Sequence, residues 1–229
     1  MHSQTITQTS SHQPAGRVAR SVAKGGGNSF ENHIDLMGAP MPFGRNVEIY
    51  GENEPAEYLY KVISGTVRTY KVLSDGRRQI GAFYLPGDFF GLEVGDEHTF
   101  SAEAIVESKI LVVKRSALVG LAARDNEVAR QLWTMTASEL QRAQSHIMLL
   151  IKTAQERVAG FLLEMAQRSA ASSEVDLPMS RQDIADYLGL TIETVSRTLT
   201  QLENSAAIAV PSSRRIVLRN RAALSRLNA

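Results

Sequence analysis

The chain has 229 residues, 43% of them hydrophobic and 21% charged, with a formal net charge of +1 and no cysteine. That composition supports a packed core and excludes wholesale disorder. The missing thiols exclude disulfides, cysteine nucleophiles and thiolate-bound metal centres. No run approaches the roughly 18 apolar residues that mark a membrane span, and the chain reads as a soluble, cytoplasmic protein of one large domain or two small ones.

Residues 1–29 are rich in Ser, Thr, Gln and Gly, close on Lys24-Gly25-Gly26-Gly27-Asn28 and show no period, so they read as a mobile arm. Arg17, Arg20 and Lys24 without an acid have the character of a transit peptide, and the lack of an apolar segment argues against a secretory signal. Residues 30–120 read as a β-sandwich or barrel. Tyr58 to Ile63, Thr66 to Val72, Gln79 to Tyr84, Ser101 to Val106 and Lys109 to Lys114 are strand-like. Ser64-Gly65, Ser74-Asp75-Gly76-Arg77 and Pro86-Gly87-Asp88 are turns between them.

The period then becomes helical. Over 121–152, Trp133, Thr136, Leu140, Ala143, Ile147 and Leu150 are spaced by alternating threes and fours, an a/d seam. The seam could bury against its own barrel. A barrel already has a core, so pairing with a second copy is favoured, and these six are the expected dimerisation residues. Residues 153–229 form the last expected domain. A helix carries Val158, Phe161, Leu162 and Met165 on one stripe, a break follows at 170–174, then two short helices and a hairpin from Ile208 to Leu218.

The two short helices carry the most information. Ser180 can cap the first, with Asp183 as its box-like partner three residues on. Ile184, Tyr187 and Leu188 are its buried side and Gly189 its left-handed end. Thr191 caps the second, whose buried side is Val195, Leu199 and Leu202. This is a helix-turn-helix. The other face of the second helix presents Ile192, Glu193, Ser196 and Arg197, with Leu190 just before it, as candidates for reading bases in a major groove. Arg197 suits guanine, Glu193 suits a cytosine amino group, and Ile192 and Leu190 suit thymine methyls, although Leu190 could instead belong to the core of the turn. Glu193 and Arg197 are also spaced for an i,i+4 ion pair. Ser180, Arg181, Gln182, Thr191 and Thr194 lie at helix N-termini, where phosphates bind, and Arg214 and Arg215 fall at the tip of the hairpin wing. Losing Arg214 is expected to weaken binding to all sequences alike.

Charge points the same way. Residues 31–120 carry 13 acids against 9 bases, whereas 204–229 carry five arginines and no acid. From 153 onward every basic residue is Arg, whose planar fork matches phosphates and guanine edges. Double-stranded DNA is the implied partner.

These residues resemble those of the CRP/FNR superfamily, with Glu193-Thr194-Val195-Ser196-Arg197 similar to its Glu-x-x-Ser-Arg recognition motif. The resemblance covers about 200 residues and implies an α+β chain: a double-stranded β-roll like a cyclic-nucleotide-binding jelly roll, a long dimerisation helix and a winged helix-turn-helix. Ser196 places it beside the FNR and FixK branches. It implies a homodimeric activator in low-oxygen or nitrogen-fixation regulation that reads TTGA half-sites in a palindrome and recruits RNA polymerase, with the loop at Leu73–Arg78 a candidate contact. Cyclic-nucleotide-binding members hold the phosphate with an arginine where this chain has Phe100, after Gly91-Leu92-Glu93 and before Ser101-Ala102. The oxygen-sensing branch needs cysteines, which are absent here. No cofactor, cyclic nucleotide, metal or membrane is therefore expected.

The residues weigh differently on three other readings. A cupin-like enzyme needs clustered histidines, and of five only His98 falls firmly within the strand-bearing part of the roll. A sensor of another small molecule could line its pocket with Phe83, Tyr84, Phe89, Phe90 and Phe100, which at strand spacing are more often core. Repression instead of activation is compatible with the same DNA contacts. Finally, Asp183 beside Arg181 is chiefly a helix cap; were it also to face a phosphate, Asp183→Asn would tighten DNA binding at low salt.

Overall fold

A computed structural model of the chain describes residues 29–168 and 173–228. The expected arm, with Arg17, Arg20 and Lys24, lies outside these apart from Ser29, and so does most of the expected break at 170–174.

The roll contains β1 (Ala39–Phe43), β2 (Glu48–Tyr50), β3 (Tyr58–Ser64), β4 (Val67–Val72), β5 (Arg78–Tyr84), β6 (Phe89–Phe90), β7 (Ser101–Ala104) and β8 (Ser108–Lys114). They form two antiparallel four-stranded sheets, in the orders β1-β8-β3-β6 and β2-β7-β4-β5. Alternation along the strands buries Tyr60, Val62, Val67, Tyr84, Phe90, Ala102 and Ile110 in one cluster. At the β4–β5 turn Gly76 takes φ +82° and Asp75 accepts from the Arg77 N–H at 3.0 Å. The sequence pattern missed β1, because Pro40 and Pro42 lack the ladder donor; the strand survives as an edge, paired to β8 alone.

Three helices flank the roll: α1 (Ser29–Met37), α2 (Arg115–Ala122) and α3 (Asn126–Leu150). Phe30 and Ile34 pack with Leu59, Leu111, Val113, Leu118 and Val128. The helix expected over 121–152 is thus divided, because the Asp125 side chain accepts from the Glu127 and Val128 N–H groups and starts α3 afresh.

The rest of the chain forms a head: α4 (Ala154–Arg168), β9 (Glu174–Asp176), α5 (Arg181–Leu188), α6 (Ile192–Asn204), β10 (Ile208–Ser212), β11 (Arg215–Leu218) and α7 (Arg221–Leu227). The wing is a three-stranded sheet, β10-β11-β9, in place of the expected two-stranded hairpin. Val158, Phe161, Leu162 and Met165 are buried in a core that crosses into the roll, through Ile80, Phe83 and Ile105. Tyr187 of α5 lies 5.1 Å, ring to ring, from Phe83 of β5. Head and roll therefore share apolar surface.

Two histidines are held within this packing. His146 of α3 stacks on Tyr187 at 3.9 Å, with Nε2 2.8 Å from the Tyr187 carbonyl oxygen. His98 is buried against Tyr50, with rings 3.5 Å apart and Glu93 3.6 Å from Nδ1. Burial lowers the pKa of both, against the upward pull of the Tyr187 carbonyl and Glu164 on His146 and of Glu93 and Glu54 on His98. Their folded pKa values thus lie below the unfolded one, and the unfolded chain takes up their protons first as the pH falls through about 6.5. Stability is expected to decline between about pH 7 and pH 5, with His146→Gln reducing the slope. Urea unfolding across that range checks this; an unchanged midpoint would count against it.

Candidate nucleic-acid interface

The helix-turn-helix is assembled by hydrogen bonds that span only three or four residues. Ser180 caps α5 with a reciprocal box: its hydroxyl accepts from the Asp183 N–H at 3.1 Å, and the Asp183 carboxylate accepts from the Ser180 N–H at 2.9 Å. Gly189 closes α5 at φ +60°, the left-handed region that favours glycine. Thr191 caps α6 by accepting from the Thr194 N–H at 3.2 Å. Ile184, Tyr187, Leu188, Val195, Leu199 and Leu202 are buried between the helices. Arg157 of α4 ties the turn down by donating to the carbonyls of Leu188 at 2.9 Å and Gly189 at 3.3 Å. Nothing in the sequence marked Arg157, whose partners are set by how α4 lies beneath the turn.

On the outer face of α6, Ile192, Glu193 and Arg197 are exposed and Ser196 is half-buried. Leu190 is half-buried against the head core, so the structure makes it a packing residue of the turn; the glycine before it turns its side chain inward. The expected Glu193–Arg197 ion pair is not closed, since no ion pair joins them among the described residues. Its own backbone N–H and the Thr191 hydroxyl hold the Glu193 carboxyl below the usual carboxylate range, with Arg197 adding to the effect. A carboxylate held at the helix N-terminus leaves the guanidinium one turn away open to another acceptor.

Of the expected phosphate contacts, Thr191 caps α6 and Thr194 lies in its first turn, Arg181 and Gln182 begin α5, and Arg214 belongs to the wing. Thr191 and Thr194 hydroxyls lie 3.1 Å apart, and Gln182 donates to Asp186 at 2.6 Å. Ser180 is exposed, yet its hydroxyl is engaged by Asp183 at 2.8 Å. Arg214 occupies the turn at the wing tip. Arg215 begins β11 opposite Ser212 and pairs with Glu174 of β9, so it belongs to the wing sheet and not to its tip. The unforeseen strand β9 is what brings Glu174 beside it.

Asp183 faces the roll. Its Oδ1 accepts from Arg68 of β4 at 2.6 Å and from Arg78 of β5 at 2.7 Å. Arg68 also binds Glu103 at 2.8 Å and Arg78 also binds Asp186 at 2.7 Å. The possible repulsion between Asp183 and a phosphate is therefore corrected: the carboxylate is buried between two arginines of the roll. The helix cap is real and is only half of what the residue does.

Helix α3 leaves one face without a partner. Trp133 is 76% exposed, Leu140 59% and Ile147 62%, with Thr136 and Ala143 also exposed. Leu150, expected last in this seam, is half-buried and turned toward the bend, its Cδ2 3.7 Å from where a Cβ on Gly189 would stand. Ile151, 73% exposed, continues the face four residues after Ile147 instead.

A cavity of about 280 Å³ lies between the roll, α3 and α4. Phe83, Tyr84, Phe89, Phe90 and Phe100 all line it; Phe83, Tyr84 and Phe90 are also core, while Phe89 and Phe100 are half-buried. Its charged lining is Glu93, Glu139, Glu164, Arg142 and Arg168. Both arginines are bound by acids: Arg142 by Asp88 at 3.2 Å and by Glu139, and Arg168 by Asp88 and by Glu164 at 3.3 Å. Phe100 contributes a ring beside Gly81.

Comparison with known proteins agrees with this architecture. Residues 40–125 match the cyclic nucleotide-binding domain and residues 156–227 the Crp-like helix-turn-helix domain. The nitrogen fixation regulation protein FixK of Azorhizobium caulinodans is 53% identical, over 92% of this chain and 88% of that protein. FixK of Rhizobium meliloti is 43% identical, over 74% of this chain and 77% of that protein. The structure of FixK2 from Bradyrhizobium japonicum superposes with a TM-score of 0.81 at 56% identity, covering 84% of this chain and 98% of that one. With the roll, the long helix and the winged helix-turn-helix in this order and at this identity, the chain belongs to the CRP/FNR family of transcription regulators, alongside the FixK proteins.

Proposed function

We propose that the chain is a sequence-specific regulator of low-oxygen or nitrogen-fixation genes, which binds TTGA…TCAA palindromes as a homodimer and activates transcription by recruiting RNA polymerase. The observation that carries this reading is the outer face of α6, where Glu193 and Arg197 stand exposed, with no ion pair between them, on a capped helix. Arg197 reads guanine by a bidentate contact, Glu193 accepts from the cytosine amino group, Ile192 meets a thymine methyl and Ser196 helps fix the first thymine. Arg181, Gln182, Thr191, Thr194 and Arg214 hold phosphates on either side. The roll, at its Leu73–Arg78 hairpin, meets the polymerase.

No small-molecule effector is needed in this reading. The cavity between the roll, α3 and α4 is lined by three carboxylates and two arginines that already bind acids, so a phosphate entering it would meet net negative charge and no free guanidinium. Fluorescence anisotropy on a labelled palindrome and a scrambled duplex, at about 150 mM salt, tests both parts. Strong discrimination without additive supports them, and discrimination that appears only with cyclic AMP overturns the second.

The two chains pair along the exposed face of α3, which sets the two recognition helices about 34 Å apart. Leu140→Glu is expected to turn the dimer into monomers, because it places a like charge on each side of an apolar seam. Light scattering reads the mass, and the palindrome then binds with the affinity of a single half-site. A dimer that persists would move the interface elsewhere.

A further inference from the structure

We propose that the cleft between roll and head is a phosphate site, which takes a backbone phosphate of the bound duplex between Arg45 of the roll and Arg214 of the wing. It rests on the DNA-binding reading above and extends the interface to a part of the molecule outside the helix-turn-helix. The cleft has a volume of about 200 Å³ and is lined by Arg45, Arg68, Arg78, Arg214, Ser180 and Gln182. Asp183 is the carboxylate in its lining.

Positive charge there exceeds what the chain neutralises. Arg68 and Arg78 are bound by Asp183, Glu103 and Asp186. Arg45 and Arg214 are exposed and form no ion pair among the described residues. Like charges gathered on one cleft repel, and an anion between them removes that cost. Arg68 itself is only 8% exposed, and its Nε makes no hydrogen bond within the protein.

The backbone presents Arg45 deliberately. It sits in a tight turn, where the Val47 N–H donates to the Gly44 carbonyl at 3.2 Å and Asn46 takes φ +60°. The turn is clamped to β7, with the Asn46 N–H donating to the Ala104 carbonyl at 2.7 Å and the Ala104 N–H to the Val47 carbonyl at 3.0 Å. The neighbours choose the anion. Ser180 and Gln182 stand at the start of α5, and the first helix of such a motif crosses the DNA backbone. Arg214 is the wing tip, so a phosphate held by the head at this point lies at the mouth of the cleft.

The test compares wild type, Arg45→Gln and Arg45→Lys in the full-length protein, on the palindrome and on a random duplex, between 50 and 200 mM salt. Each lost phosphate contact reduces the slope of log K against log salt by about 0.9, so a dimer of Arg45→Gln should lose about 1.8. The affinity ratio of wild type to variant should then shrink roughly tenfold across that range. The loss should be equal on both duplexes, and Arg45→Lys should restore most of the slope. Unchanged slopes in Arg45→Gln, with wild type still discriminating the palindrome, would overturn this inference and leave the DNA-binding reading standing. Calorimetry with inorganic phosphate is the second arm: Arg45-dependent binding of phosphate by the free protein, with DNA slopes unchanged, would assign the cleft to a free anion and overturn the DNA contact. A wild type that binds neither duplex would instead overturn the function on which the inference rests.

Discussion

Asp183→Asn is expected to destabilise the protein by about 3–4 kcal/mol and to weaken binding to the palindrome. Breaking a buried ion pair by removing one partner costs about 3–5 kcal/mol, since the remaining charge stays desolvated. Here the lower part of that range applies, because Arg68 keeps Glu103 and Arg78 keeps Asp186. The cap itself largely survives, as an amide oxygen can still accept from the Ser180 N–H. What is lost is the counter-charge that holds α5 against β4 and β5, and with it the fixed position of the reading helix. Urea unfolding and anisotropy measure the two effects. A double-mutant cycle with Arg78→Gln should give a coupling of about 1–3 kcal/mol, and a coupling below about 0.5 kcal/mol would show that the carboxylate does not hold the roll.

Arg197→Ala should have the largest effect on recognition. A bidentate contact to guanine is worth about 1–3 kcal/mol, so loss at both half-sites amounts to roughly 2–6 kcal/mol, at least about 25-fold in affinity. Binding to random DNA should change far less, because Arg197 is assigned to base edges and not to phosphates. Replacing the guanine of each half-site in the duplex should cost the wild type a similar factor and cost Arg197→Ala almost nothing. An equal loss on specific and random DNA would make Arg197 a phosphate contact and return the reading role to Glu193.

The expected reversal at Asp183 shows where sequence and structure part. Asp183 lies at a helix N-terminus beside an arginine of its own helix, and from the sequence that neighbourhood admitted a phosphate. The arginines that bind it lie 115 and 105 residues earlier in the chain. The same distance in sequence hid β9, whose Val175 pairs with Ile216, and hence the Glu174 partner of Arg215. Leu150 and Ile151 tell a local version of the story. The heptad spacing named Leu150 as the last seam residue, whereas the structure half-buries it beside Gly189 and leaves Ile151 exposed.

By itself the sequence determined the capped helix-turn-helix, five of the eight strands of the roll and the apolar stripe of α3, because each depends on bonds within a few residues or on a period along one element. Ser180 with Asp183, Gly189 and Thr191 occupy the positions their types foretold. The tertiary structure alone decided which charges are buried, which face of α3 stays open, and that Arg45 joins Arg214 across one cleft. These depend on how roll and head dock, and docking brings together residues whose separation in sequence carries no period.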